Sequence, residues 1–294
     1  MHTAFQPIKN RTNTRNCFPV STNPFDPFHF KPSIKLALAI VAGLSVKSIN
    51  AQQSAPHNDS LVAKVYAWKD LVLKKEGDDL KRSIFTGSTT TLRELDVAAY
   101  TLLPGQAIPP TFQHDDLEEL MIIKEGACKI IIEGNTKIMG RGSIAFVMPG
   151  DKHAISNAGS EDAIYYILKY KGKKPDHERG KSAGGSLLVD WNTLQTSNTG
   201  KGYRRDFFNR ATSQLGKFEM HTTALNADSA SHAPHTHVQE EILLILRGDV
   251  TMHIDGRSFP ATEGDLVFLP SGVPHALVNS GKQQCEYFAF QWKN

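Results

Sequence analysis

Cysteine is nearly missing from this sequence: three residues in 294. That scarcity excludes a disulfide-built scaffold and a Cys-rich structural zinc site. Cys17 falls in the first fifty residues, leaving Cys128 and Cys285, and nothing in the sequence brings these two together. Two buried free thiols are expected. A dominant charge sign is also absent. Thirty-three Lys plus Arg stand against thirty Asp plus Glu, and much of the excess lies before residue 50. The remainder is close to neutral, so no nucleic-acid partner is expected. No zinc-finger, P-loop or dinucleotide spacing occurs. Sustained 3.6-residue apolar stripes are missing from the body, which argues against long amphipathic helices.

The apolar run at 36–46 has eleven residues, too few to span a bilayer. Lys31 and Lys35 flank it on one side and Ala51 offers a small residue for cleavage on the other. That is the anatomy of a secretory signal peptide, so residues 1–51 are assigned to a signal peptide and leader. The expected location is exported, periplasmic or secreted, with no membrane association after cleavage. Organelle targeting is the alternative, since residues 1–30 hold one acidic residue, Asp26, among many Asn, Thr and Pro.

The body is one unit written twice. Residues 118–157, "EELMIIKEGACKIIIEGNTKIMGRGSIAFVMPGDKHAISN", align without a gap on 240–279, "EEILLILRGDVTMHIDGRSFPATEGDLVFLPSGVPHALVN". A constant offset of 122 pairs Glu119 with Glu241, Gly126 with Gly248, Gly142 with Gly264, His153 with His275 and Asn157 with Asn279. Short apolar runs such as "KIIIEG" and "SIAFVM", separated by Gly, Pro and Asn turns every eight to twelve residues, predict antiparallel strands. The fold class expected is all-β, with two tandem barrels of the jelly-roll or sandwich-like kind. The boundaries expected are an N-terminal arm at 52–80 packed on the first repeat, a first domain at 81–170, a polar Gly-rich linker at 171–202 and a second domain at 203–294.

Within "SHAPHTHVQEEI", residues 231–242, His235, His237 and Glu241 share strand parity, so an unbroken strand aims all three at one face. Leu243 and Ile245 follow on that face, which puts the carboxylate at the edge of an apolar interior. No Lys or Arg shares its face within the segment, and two imidazoles do, so a metal ion is the natural partner. The competing reading is a polar barrel mouth with no ion. His221, His232 and His253 are expected to be ordinary strand or loop residues. Tyr287, duplicated as Tyr165, is expected to be a packing residue. Phe288, Phe290 and Trp292 alternate onto one face, expected to be core or interface.

The first fragment, His235-x-His237-x3-Glu241-x6-Gly248, joins a second in "GDLVFLPSGVPHALVN", which runs Gly264-x5-Pro270-x-Gly272-x2-His275-x3-Asn279. Together they resemble the two signature motifs of the cupin superfamily, in a two-domain arrangement of the type-2 kind, over roughly residues 80–294. One position departs: Ser229 stands where the motif has Gly. The resemblance implies double-stranded β-helix barrels and one divalent metal ion, held by His235, His237, Glu241 and His275. Imidazole with carboxylate suits Fe, Mn, Ni or Zn and leaves about two octahedral positions open.

In the first repeat the same positions hold Gln113, Asp115, Glu119 and His153, and His114 has the parity that faces away. That barrel is expected to be a degenerate structural partner. The function implied is a metal-dependent dioxygenase or related oxidoreductase on a small oxygenated substrate that chelates through adjacent oxygens. The alternative is a non-catalytic protein that binds a sugar acid or similar ligand through the metal. A homodimer is a possible assembly.

Overall fold

A computed structural model describes residues 60–107 and 113–294; the leader at 1–51 and Cys17 lie outside the described residues. Among these, twenty strands accompany one six-residue helix, His177–Ser182. The period-2 alternation predicted from sequence builds four sheets, two of seven strands and two of three. In each repeat a seven-stranded and a three-stranded sheet close on an apolar interior. Met121, Ile130 and Tyr165 fill the first, and Leu243, Met252 and Tyr287 the second. Cys128 and Cys285 are buried and free, one in each interior.

The outer faces of the two large sheets pack against each other. That layer takes Phe146, Leu168 and Tyr170 from the first repeat and Phe218, Phe268, Phe288, Phe290 and Trp292 from the second. The alternating aromatics of the last strand, Cys285–Lys293, therefore form the inter-barrel core, as expected.

The N-terminal arm packs on the first repeat in part, through Trp68 against Tyr166, and otherwise departs from expectation. Its strand Lys64–Tyr66 pairs antiparallel with Leu266–Leu269 of the second repeat, Lys64 opposite Phe268. The strand Leu187–Val189, within the expected linker, pairs with Ile144–Val147 of the first repeat, Leu187 opposite Phe146. Each repeat thus lends its opening strand to the other barrel. Unpaired backbone at a sheet edge is costly to bury, and the exchange covers both edges. Lys74–Glu76 and Asp79–Gly87 belong to the first repeat's large sheet, so regular structure starts earlier than the boundary at 81.

After each lent strand a Trp closes the junction. Trp191 covers Gly142, where an added Cβ would meet the indole at 2.4 Å and φ is +81°; Trp68 covers Gly264 in the same way, at 3.0 Å. Glycine is required at such a spot both for the left-handed backbone and for the close approach.

Two buried carboxylates tie the repeats reciprocally. Glu118 accepts from Thr212 Oγ1 at 2.7 Å and Gln214 N at 3.2 Å. Glu240 accepts from Thr89 Oγ1 at 2.7 Å, Thr90 N at 2.7 Å and Trp292 Nε1 at 2.8 Å. Burial pushes the Glu118 carboxyl up to about 6 despite these donors. The folded protein therefore holds a proton there that the unfolded chain gives up at its ordinary pKa near 4.5. Stability from this group is complete below about pH 4.5 and is lost as pH rises through 6, by roughly 2 kcal/mol. Glu118→Gln should remove this dependence. Urea melts at pH 4.5 and 7 should show the variant gaining on the parent at pH 7; an equal difference at both would refute it.

Candidate metal centre

The strand Glu240–Arg247 opens on two buried carboxylates that point to opposite faces. Glu240 enters the inter-barrel layer, whereas Glu241 turns into the second barrel. Glu241 Oε2 lies 3.2 Å from His275 Nε2 and 3.4 Å from His237 Nε2, and its Oε1 accepts from Gln291 Nε2 at 3.0 Å. His235, His237 and His275 each offer a ring nitrogen, all within 4.8 Å of one another. The four side chains singled out in the sequence come together.

They do so by another route than an unbroken strand, because regular pairing starts only at Glu240. An isolated bridge holds His235 beside His275, with backbone N to O distances of 3.1 and 3.0 Å. Gly272 N donates to the His237 carbonyl at 2.9 Å, from a left-handed φ of +77°. The glycine of the second motif thus fastens the histidine loop of the first.

Each ring turns Nδ1 toward a backbone carbonyl: His275 to Val273 at 2.8 Å, His237 to Gln239 at 2.9 Å and His235 to His275 at 3.3 Å. A carbonyl only accepts, so Nδ1 carries the proton and a neutral ring keeps its lone pair on Nε2. The buried Nε2 atoms of His237 and His275 lack a hydrogen-bond partner and face the Glu241 carboxylate, itself an acceptor. Lone pairs facing a carboxylate repel unless the rings gain protons or a cation sits among them. Burial works against the charge on Glu241, yet His237, His275 and Gln291 hold its pKa down to about 2. The Glu241 contact raises His237, and burial lowers His235. This donor set fits a divalent first-row ion.

A cavity of about 400 Å³ opens beside the cluster. Leu243, Met252 and Leu277 supply its apolar wall, and Thr223, Tyr287 and Gln291 its polar one. Three residues expected to be bland line it. His221 is buried, and burial pushes its pKa down to about 4, so it is uncharged at neutral pH. His232 is exposed, as expected of a loop, but its ring centroid lies 3.9 Å from that of His235. Tyr287 faces the cavity, and burial raises its hydroxyl. Lys201 and Arg204 also line it and had no signal in either motif. His253 pairs with Ser258 at 3.0 Å, away from the cavity lining.

The first barrel solves the same electrostatic problem differently. Glu119 is met by His153 Nε2 at 2.7 Å, His114 Nε2 at 3.1 Å and Lys169 Nζ at 3.1 Å. His114 therefore does not face away: strand parity fails because residues 113–117 precede the strand Glu118–Glu125. Lys169 stands where Gln291 stands in the second repeat. Gln113 Nε2 donates to Asp115 Oδ1 at 3.2 Å, and both side chains are exposed. The cavity here is only about 80 Å³. A tethered ammonium supplies Glu119 with its cation.

A family model for the Cupin domain matches residues 99–169 and again 222–290. Solved structures with the same fold include protein Ylba from E. coli, 21% identical with a TM-score of 0.61, over 80% of this chain and 94% of that one. A glyoxylate-induced protein from Pseudomonas aeruginosa is 16% identical with a TM-score of 0.63, over 80% and 92%. An oxalate decarboxylase mutant from Bacillus subtilis is 15% identical with a TM-score of 0.59, over 79% and 78%. No curated protein matches the sequence.

Proposed function

Because this chain belongs to the cupin superfamily, as a member with two tandem cupin domains, we propose that it is a metal-dependent enzyme whose single ion sits in the C-terminal barrel. His235, His237, His275 and Glu241 hold the ion, and Fe, Mn, Ni or Zn suits them. The reaction is that of an oxygenase or related oxidoreductase on a small substrate that chelates through adjacent oxygens. One observation carries this reading: two buried Nε2 atoms, with Nδ1 committed to carbonyls, converge on a buried carboxylate beside a cavity.

A bound ion would supply Lewis-acid chemistry beside the cavity. The protein's own part is positional. The Nδ1 bonds to Gln239 and Val273 lock the rings of His237 and His275, and Gln291 fixes Glu241 Oε1. Leu243, Met252 and Leu277 keep one wall apolar, which strengthens polar contacts made inside. His221, uncharged above about pH 4, adds a neutral imidazole rather than a competing cation. The proposal includes export, resting on the leader pattern at 1–51.

Elemental analysis of the purified chain tests the first half, with one ion per chain expected. Oxygen consumption by metal-loaded protein with 2-oxo acids, 2-hydroxy acids and catechols tests the second. Tight binding of such a probe without product would mark a binding protein instead. Absence of bound metal would remove both readings.

A further inference from the structure

The cavity of the second barrel carries two cations besides its histidines. Lys201 and Arg204 line the space, and Glu241 is the single carboxylate among the lining residues. Arg204 is held from behind: Nε donates to Asp206 Oδ1 at 2.6 Å and Nη2 to Glu219 Oε1 at 2.9 Å. Neither Asp206 nor Glu219 lines the cavity, and Nη1 has no partner among the described residues. Lys201 Nζ is fixed at 3.0 Å from the Ala230 carbonyl and 3.4 Å from that of Ser231, in the loop that leads to His235, and among the described residues it pairs with no carboxylate. A guanidinium pre-oriented by two acids, with an edge left over, is suited to a planar oxyanion.

Sheet register gives the path along the wall from Arg204 to the cluster. Arg204 lies opposite Thr223, Thr223 opposite Tyr287, and Tyr287 opposite Ile245. Glu241 precedes Ile245 by four residues on the same strand. Arg204 and Glu241 therefore stand three strands apart around the sheet, at ~4.8 Å per strand, whereas Lys201 sits at the start of the histidine loop. A ligand chelated at the cluster must carry its second group several bonds away to reach Arg204.

We infer that Lys201 and Arg204 form an anion-recognition pair, so that the substrate is a small acid with a chelating group at one end and a carboxylate at the other. This rests on the metal site in the same barrel and adds the substrate's charge.

The test uses cobalt-loaded full-length protein and pairs of 2-hydroxy acids that differ only in the far group: malate with 2-hydroxybutyrate, and 2-hydroxyglutarate with 2-hydroxyvalerate. Binding is read from the cobalt absorption spectrum. In at least one pair the diacid should bind roughly tenfold tighter than its methyl-ended partner, as a charge-assisted contact would provide. Lys201→Met and Arg204→Gln should each reduce that preference while cobalt stoichiometry stays at one. Lys201 is exposed, so its variant tests the pair even if Arg204→Gln folds poorly. Equal binding of both members of each pair, or a preference surviving in both variants, would overturn the inference and leave the metal centre standing. Failure of the parent protein to take up cobalt would overturn the metal centre and this inference with it.

Discussion

His275→Ala should purify without its ion. The side chain is buried, its Nε2 lies 3.2 Å from Glu241, and alanine offers no ligand atom in its place. Loss of an outer partner to a metal ligand costs about 10- to 100-fold in affinity, and loss of the ligand itself should exceed that. The same change has a thermal signature. An ion present at about 100 times its dissociation constant adds ~2.7 kcal/mol of stability. In a folded unit of this size that is roughly 5–10 °C in Tm. The parent should show this shift on adding manganese or nickel, and His275→Ala should show none. His114→Ala is the control, since His114 contacts Glu119 in the other barrel. Retention of a full complement of metal by His275→Ala would mean that the ligand set is misassigned.

The second large effect is expected away from the cavity. Glu240→Ala should lower stability by about 3–5 kcal/mol, because its donors would remain buried without an acceptor. Thr89 Oγ1, Thr90 N, Thr91 Oγ1 and Trp292 Nε1 all converge on this carboxylate. They come from both repeats, so its loss loosens the layer between the barrels. The expected fall in Tm is roughly 10 °C. Glu240→Gln, which keeps an acceptor oxygen, should cost markedly less. Metal content should be unchanged in both, since the side chain leaves the strand on the face opposite Glu241. Thermal melts of the two variants decide this, and Glu240→Ala melting within about 2 °C of the parent would contradict it.

The tandem repeat was readable in the sequence because glycine, histidine and asparagine recur at one offset in turns where few substitutes serve. The convergence of His235, His237, His275 and Glu241 was also foreseen, although the strand invoked for it is a bent loop held by Gly272 and the His235–His275 bridge. What escaped was the upstream part of each repeat. Lys64–Tyr66 corresponds to Leu187–Val189 and Trp68 to Trp191 at an offset of 123, not 122. The second repeat is one residue shorter between Ala230 and His235 than the first is between Ala107 and Gln113, so a gapless comparison loses the match there. The repeated Trp was the available signal.

Within the regular strands, sequence alone determined which residues face inward, since a period of two leaves no choice once one face is apolar; before Glu118 and Glu240 it did not. It also determined that one barrel keeps the three-imidazole set and the other lost it. Only the folded chain decided which barrel each opening strand completes, because sheet edges from different repeats meet through space with no local pattern to mark the pairing. The fold alone likewise brought Lys201, Arg204, His221 and His232 to one cavity, and set Lys169 against Glu119. Such contacts join residues on separate strands, and spacing along a chain carries no record of them.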